Sequence, residues 1–93
     1  MFKLDNPTLK IFIKGIYFDQ IIAQTKITEF RKVTPFWSSR LLDSNNKKRH
    51  YDHIEFINGY KPDSRRVITG YEGFRKKGGE YLIGIGRIIM KNY

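Results

Sequence analysis

Apolar and polar residues alternate along this chain at two different periods, and the switches between them delimit the elements. In 9–14, reading L-K-I-F-I-K, Leu9, Ile11 and Ile13 fall on one side and Lys10, Phe12 and Lys14 on the other, the pattern of a half-buried strand. Gly15 ends it. Over 16–24, Phe18 stands three and four residues from Ile21 and Ile22, with Asp19 and Gln20 between, which predicts a short amphipathic helix. From Lys26 the period returns to two: Ile27, Glu29 and Arg31 share one side, and Lys26, Thr28, Phe30 and Lys32 the other. With Phe30 taken as the core side of this second strand, Glu29 and Arg31 share the opposite side, near enough for their charges to interact. Thr34-Pro35 then stops the strand and opens a helix, Thr34 as N-cap and Pro35 at the first helical position, with Phe36, Trp37, Arg40 and Leu41 as its packed side.

Beyond it, 43–49 (D-S-N-N-K-K-R) reads as an exposed basic loop. Alternation resumes over 51–57, with Ile54 and Phe56 against His53 and Glu55, and Asn58-Gly59 closes that strand with a turn signal. A basic connection over 60–66 leads to a strand over 67–74 interrupted by Gly70 and Gly73, which predicts bulges or close backbone approach. Lys76-Lys77-Gly78-Gly79 is a hairpin tip, and 80–90 is the last and most apolar strand. Its Gly84 and Gly86 fall opposite Tyr81, Ile83, Ile85, Arg87 and Ile89, leaving room for a neighbour to pack close or for a barrel wall to bend.

Five strands and two short helices in the order β-α-β-α-β-β-β predict a single α+β domain over 1–93. Its mixed or antiparallel sheet can curl into a small barrel, because late consecutive strands need hairpin connections. The segments 9–14 and 81–90 carry the longest apolar faces and are expected at the centre of the sheet.

Composition narrows the function. The hydrophobic content of 40% with 15% aromatic residues supports one modest core without staples. There is no cysteine, which excludes a disulfide framework, thiolate zinc sites and cysteine nucleophiles. The beginning MFKLDNPTLK has no signal-peptide apolar run and no window approaches a membrane span, so a soluble cytoplasmic protein without membrane association is expected. The net charge of +9 is uneven: seven Lys and Arg against four Asp and Glu in 1–46 give +3, and eleven against five in 47–93 give +6. Such an excess on a small domain attracts polyanions, and RNA or a nucleotide is the expected partner, with a protein partner as the alternative.

The candidate chemistry centres on 26–40. Lys26 suits a phosphate contact, or a nucleophile or base if its ammonium is destabilised; the plain alternative is a surface lysine paired with Glu29. Glu29 can orient Arg31 and leave the guanidinium fork for a phosphate or base edge, or the two can form a structural salt bridge. Trp37 is either a stacking platform or a core anchor, and Tyr60, ahead of Arg65 and Arg66, is a more exposed stacking candidate. Arg40 completes the cationic set. His50 and His53 lie near Asp52 and Glu55 without a third ligand at metal-binding spacing, so neither a metal site nor a cofactor is expected; a histidine beside a carboxylate keeps a nuclease as the second possibility. Gly84-Ile85-Gly86 is no dinucleotide fingerprint, since it lies within a strand.

With Lys26, Glu29 and Arg31 placed after a short helix, the chain resembles the ASCH family of the PUA-like superfamily. Those three residues match its G-x-K-x-x-E-x-R pattern, with Gln24 at the glycine position. The runs P-F-W-S-S-R, I-E-F-I-N-G-Y at 54–60 and L-I-G-I-G-R-I are similar to small bacterial and phage members. The resemblance implies a PUA-like β-barrel with helices at its mouth and a charged cleft for RNA or a modified nucleotide. Relatives include RNA-binding modules, a ribonuclease and an amidohydrolase of acetylated cytidine, in which the motif lysine acts with a threonine and a distant glutamate. Lys26 carries over by position; the threonine does not, since Glu29 holds its place and Thr28 is one residue off. The expected function is an RNA- or nucleotide-binding module using Lys26, Glu29, Arg31, Trp37, Arg40, Tyr60, Arg65 and Arg66. The alternatives are a ribonuclease or modified-nucleoside hydrolase with Lys26 and Glu29 as catalytic residues, and a phage-type protein that binds a host protein or signalling nucleotide.

Overall fold

Seven elements form along residues 7–92, the part of the chain that the computed structural model describes: β1 (Thr8–Phe12), α1 (Gly15–Ile22), β2 (Thr28–Lys32), α2 (Pro35–Leu41), β3 (His53–Asn58), β4 (Arg65–Lys77) and β5 (Glu80–Asn92). The strands make one sheet in the order β1-β3-β4-β5-β2, with β1 parallel to β3 and every other pair antiparallel. The sheet curls into a half-barrel, and with the two short helices this is a small α+β fold. None of the described helices is long and apolar enough to cross a membrane.

The period-two readings explain most of the core. Leu9, Ile11 and Ile13 are buried, as are Ile54 and Phe56, Val67, and Tyr81, Ile83 and Ile85, and they merge into one cluster with Phe18 and Ile21 of α1 and Leu41 of α2. Each such aliphatic or aromatic side chain withdrawn from water contributes about 1.5–3 kcal/mol. The position expected for 9–14 is corrected: β1 pairs only with β3 and stands at one edge of the sheet. A long apolar face did not require a central place, because the curl of the sheet and the packing of α1 cover that face of an edge strand. The last strand has β4 and β2 on its two sides.

The bend comes from β4 and β5. Their ladder shifts register between Ile68 and Thr69, Thr69 and Tyr71, and Tyr71 and Phe74, so the expected irregularity at Gly70 and Gly73 is present. At the closest approach Gly70 meets Gly86 backbone to backbone, and a Cβ on Gly86 would lie 3.0 Å from the Gly70 Cα. The Gly78-Gly79 turn joins the two strands with φ of 59° and 79°, the twist-matched geometry of a two-residue hairpin.

Both helices are ended by their sequences. Thr34 caps α2, its hydroxyl accepting from the Trp37 N–H at 3.2 Å, with Pro35 following as expected. On that helix Leu41 is buried and Trp37 half-buried, but Phe36 and Arg40 face outward, the Arg40 guanidinium lying 3.5 Å from the Phe36 ring centroid. A seven-residue helix has too narrow a buried stripe to include all four. Ser38 Oγ and the Tyr81 hydroxyl, 2.6 Å apart, anchor the same helix to β5.

At the other helix, the Thr25 N–H reaches the Gln20 carbonyl (3.0 Å) and the Gln24 N–H the Ile21 carbonyl (3.0 Å). That is the Schellman pattern, and Gln24 sits at its left-handed position with φ of 61°. The motif turns the chain sharply enough to bring Lys26 back beside β2.

Candidate functional site

The alternation read for β2 is correct, but its sides are inverted relative to the core. Glu29 is 5% exposed and Phe30 is 52% exposed. The pairing with β5 explains this: Glu29 stands opposite Ile83 and Arg31 opposite Tyr81, both buried, so the charged pair shares the concave side. Periodicity alone does not say which side of a strand is covered. A carboxylate on the covered side is tolerated here because cations meet both its oxygens.

Lys26 Nζ lies 3.2 Å from Glu29 Oε1 and donates to the Thr28 carbonyl at 2.8 Å. Arg31 Nε donates to Glu29 Oε2 at 2.5 Å, and its Nη2 donates to the Phe12 carbonyl at 3.0 Å. Arg31 thus spans from β2 to the end of β1, the two free edges of the half-barrel. Two cations around one carboxylate leave a floor with one net positive charge. Among the described residues Arg31 Nη1 has no protein partner, and Lys26 retains one of its three donors.

This floor lies in a cleft of ≈ 840 Å³ between the β1 and β2 edges. One lip carries Phe12 and Tyr60, whose rings stack at 4.8 Å and 18°, with Tyr60 87% exposed. Tyr17 and Phe30 also line the cleft, their ring centroids 5.3 and 5.6 Å from Lys26 Nζ. Lys14, just before α1, and Lys32, at the end of β2, add two further cations to the lining. A polar, net-positive floor between exposed rings of this volume fits an aromatic, anionic ligand.

Of the residues singled out in the sequence, Lys26, Glu29, Arg31 and Tyr60 are brought together here. Trp37 stands behind the site: it is half-buried against the core with the Arg31 guanidinium 5.0 Å from its ring, so it supports Arg31 and does not line the cleft. Arg40 lies on the outer side of α2 and donates to the Phe36 carbonyl at 3.1 Å. Arg65 pairs with Asp19 (3.0 Å) and also donates to Asn58 Oδ1 (3.0 Å), while Arg66 pairs with Glu55 (3.2 Å); neither lines the cleft. Phe12 and Lys14 were missed because they alternate outward as ordinary surface positions, and Tyr17 because it falls outside the buried stripe of α1. The one available signal was that Phe12 breaks the polar side of β1.

The hydrogen bonding bears on catalysis. Both polar partners of Lys26 Nζ are acceptors, an arrangement that suits a donating ammonium; a nucleophilic amine would need its lone pair free and aimed at substrate. Glu29 has both oxygens occupied by cations and would have to release one to accept a proton. Thr28 presents its carbonyl to Lys26, and its side chain lies on the other side of the strand from Glu29. His50 Nε2 is 2.7 Å from Asp52 Oδ1 on the surface, and neither residue lines this cleft. Among the described residues no group of three or more His, Asp or Glu is placed to hold a metal ion. Elsewhere, burial pushes the Tyr71 hydroxyl up to about 12, with the neighbouring Tyr51 adding to the shift, and the buried oxygen has no hydrogen-bond partner among the described residues. Compared with protein-family models, with curated proteins and with solved structures, the chain matches none.

Proposed function

We propose that this chain is an RNA- or nucleotide-binding module of the ASCH type, and that the cleft between β1 and β2 is its ligand site. The observation that carries this is the buried Glu29, which holds Lys26 and Arg31 as a fixed cationic floor among exposed aromatic rings. Such a floor takes a phosphate or a base edge through Arg31 Nη1 and the remaining Lys26 donor, while a base stacks against Phe12 and Tyr60 or against Phe30. Because Glu29 orients both cations beforehand, little ordering is left to be done on binding. The left-handed conformation of Gln24 supports the family resemblance, since the pattern has glycine where this turn needs positive φ.

Calorimetric titration with nucleotides and short RNAs tests the proposal, comparing the wild type with Lys26→Ala and Arg31→Ala. Each variant is expected to weaken binding by about 1–3 kcal/mol, the range for a charge-assisted contact. A binding isotherm unaffected by either substitution would sink it. The hydrolase alternative predicts instead that Lys26→Ala abolishes turnover of an RNA or modified-nucleoside panel while binding is nearly kept.

A further inference from the structure

Beside the cleft, on the convex side of the sheet, the strand register aligns a second set of cations. Lys32 of β2 stands opposite Glu80 of β5, which stands opposite Lys77 of β4; two residues further in, Phe30, Leu82 and Arg75 align the same way. The intervening row fixes the sides. Tyr81, between Arg31 and Lys76, is buried, so Phe30, Lys32, Arg75 and Lys77 project from the other side. Lys32, Arg75 and Lys77 are exposed and form no ion pair among the described residues, and Glu80 is the only carboxylate in the two rows. The patch runs on from the cleft, because Phe30, Lys32 and Glu80 line that too. The Val33 N–H donates to the Gly79 carbonyl at 3.0 Å, which pins the hairpin turn beside the end of β2.

We infer that the cleft receives one nucleotide of a longer single strand, and that the backbone of this strand continues over Lys32 and along the β4–β5 hairpin at Arg75 and Lys77. This rests on the cleft being a nucleotide site. Arg75 and Lys77 are about 7 Å apart along their strand, and Lys32 and Lys77 about 10 Å apart across β5, from the rise and spacing of a sheet. Cations so placed follow a phosphate backbone step by step. Phe30, 52% exposed at the junction of cleft and patch, offers its ring to a base face, which a duplex keeps stacked inside. Two lysines and an arginine around a lone ring therefore fit a single strand, and a free mononucleotide would leave them unused.

Calorimetry with AMP and with an unstructured RNA nonamer, on the wild type and on the double variant Arg75→Glu/Lys77→Glu, tests the inference. The nonamer is expected to bind the wild type at least tenfold more tightly than AMP. The double variant should lose that gain, keep wild-type affinity for AMP, and show a salt slope shallower by about 1.4, the value for two single-strand phosphate contacts. Arg75→Gln/Lys77→Gln makes the same measurement with less repulsion should the charge reversal unfold the chain. A nonamer bound equally by wild type and variant overturns the inference, as does displacement of the nonamer by duplex RNA or polyglutamate as effective as that by a single strand. If AMP binding falls together with nonamer binding in a variant that melts normally, a separate track is overturned while the cleft stands. If the wild type binds neither AMP nor nonamer, the cleft reading fails first.

Discussion

The Arg31 guanidinium reaches from β2 to the Phe12 carbonyl on β1, 3.0 Å away, while its Nε holds Glu29. One side chain therefore bridges the two free edges of the half-barrel and sets the width of the cleft between them. A lysine in its place has one donating nitrogen and no planar fork, so it cannot serve both acceptors at their separate positions. Arg31→Lys is expected to weaken nucleotide binding by about 1–3 kcal/mol despite keeping the charge. Titration calorimetry checks this, and an affinity restored to the wild-type value would assign Arg31 a purely electrostatic role.

Glu29 should matter more for folding than either of its cations. Removing its charge leaves Lys26 and Arg31 facing each other with side-chain exposures of 14% and 26%, enough contact with water to soften the effect. Glu29→Gln is expected to cost roughly 2 kcal/mol, below the range for a fully buried pair, and Lys26→Ala about half as much because Arg31 still neutralises the carboxylate. Urea unfolding with an unchanged m-value gives the comparison; equal losses in the two variants would count against it.

Gln24 tests the turn that delivers Lys26. Its φ of 61° costs a residue with a Cβ about 1–2 kcal/mol, and glycine gives back roughly 0.5–1 kcal/mol through the unfolded chain. Gln24→Gly should therefore raise stability slightly, by about 0.5 kcal/mol, whereas Gln24→Val should lower it by about 1 kcal/mol or more. Thermal melts of the pair settle the sign.

Tyr71 supplies a pH dependence. Its folded value lies near 12, above the ordinary 10, so the unfolded chain loses this proton first. Its contribution is fully present below pH 10 and is lost as pH rises from 10 towards 12. Tyr71→Phe removes both this dependence and a buried hydroxyl without a partner, and is expected to stabilise the fold by about 1 kcal/mol at neutral pH. Unfolding curves at neutral and alkaline pH should show the variant's advantage growing with pH; a constant difference would mean that Tyr71 does not titrate late.

The strands of this fold were legible in the sequence wherever apolar residues occupied every second position, as in Leu9, Ile11 and Ile13 or Tyr81, Ile83 and Ile85. The helix start at Thr34-Pro35 was legible too, because capping is a local interaction. The covered side of β2 was not. A carboxylate between two cations is the usual mark of a solvated face, and only the ladder with β5 shows it turned inward. The cleft was half legible: Lys26, Glu29 and Arg31 sit within six residues, but the opposing lip is built from Phe12 and Tyr60, which are distant in the chain. Arg65 and Arg66 read as free cations because their acceptors, Asp19 and Glu55, lie 46 and 11 residues away.

The parallel pairing of β1 with β3 has a kinetic consequence. Thr8 meets His53, 45 positions further along the chain, whereas β4 and β5 meet through a two-residue turn, so the hairpin closes at far lower entropic cost and β1 docks against an already formed β3. Phe12, the β1 half of the lip it shares with Tyr60, is then acquired late and held by a single ladder. Amide hydrogens of Leu9 to Phe12 should accordingly exchange faster than those of Ile83 and Ile85, and bound nucleotide should slow the former selectively. Occupancy of the site and completion of the barrel's open side would be one cooperative event.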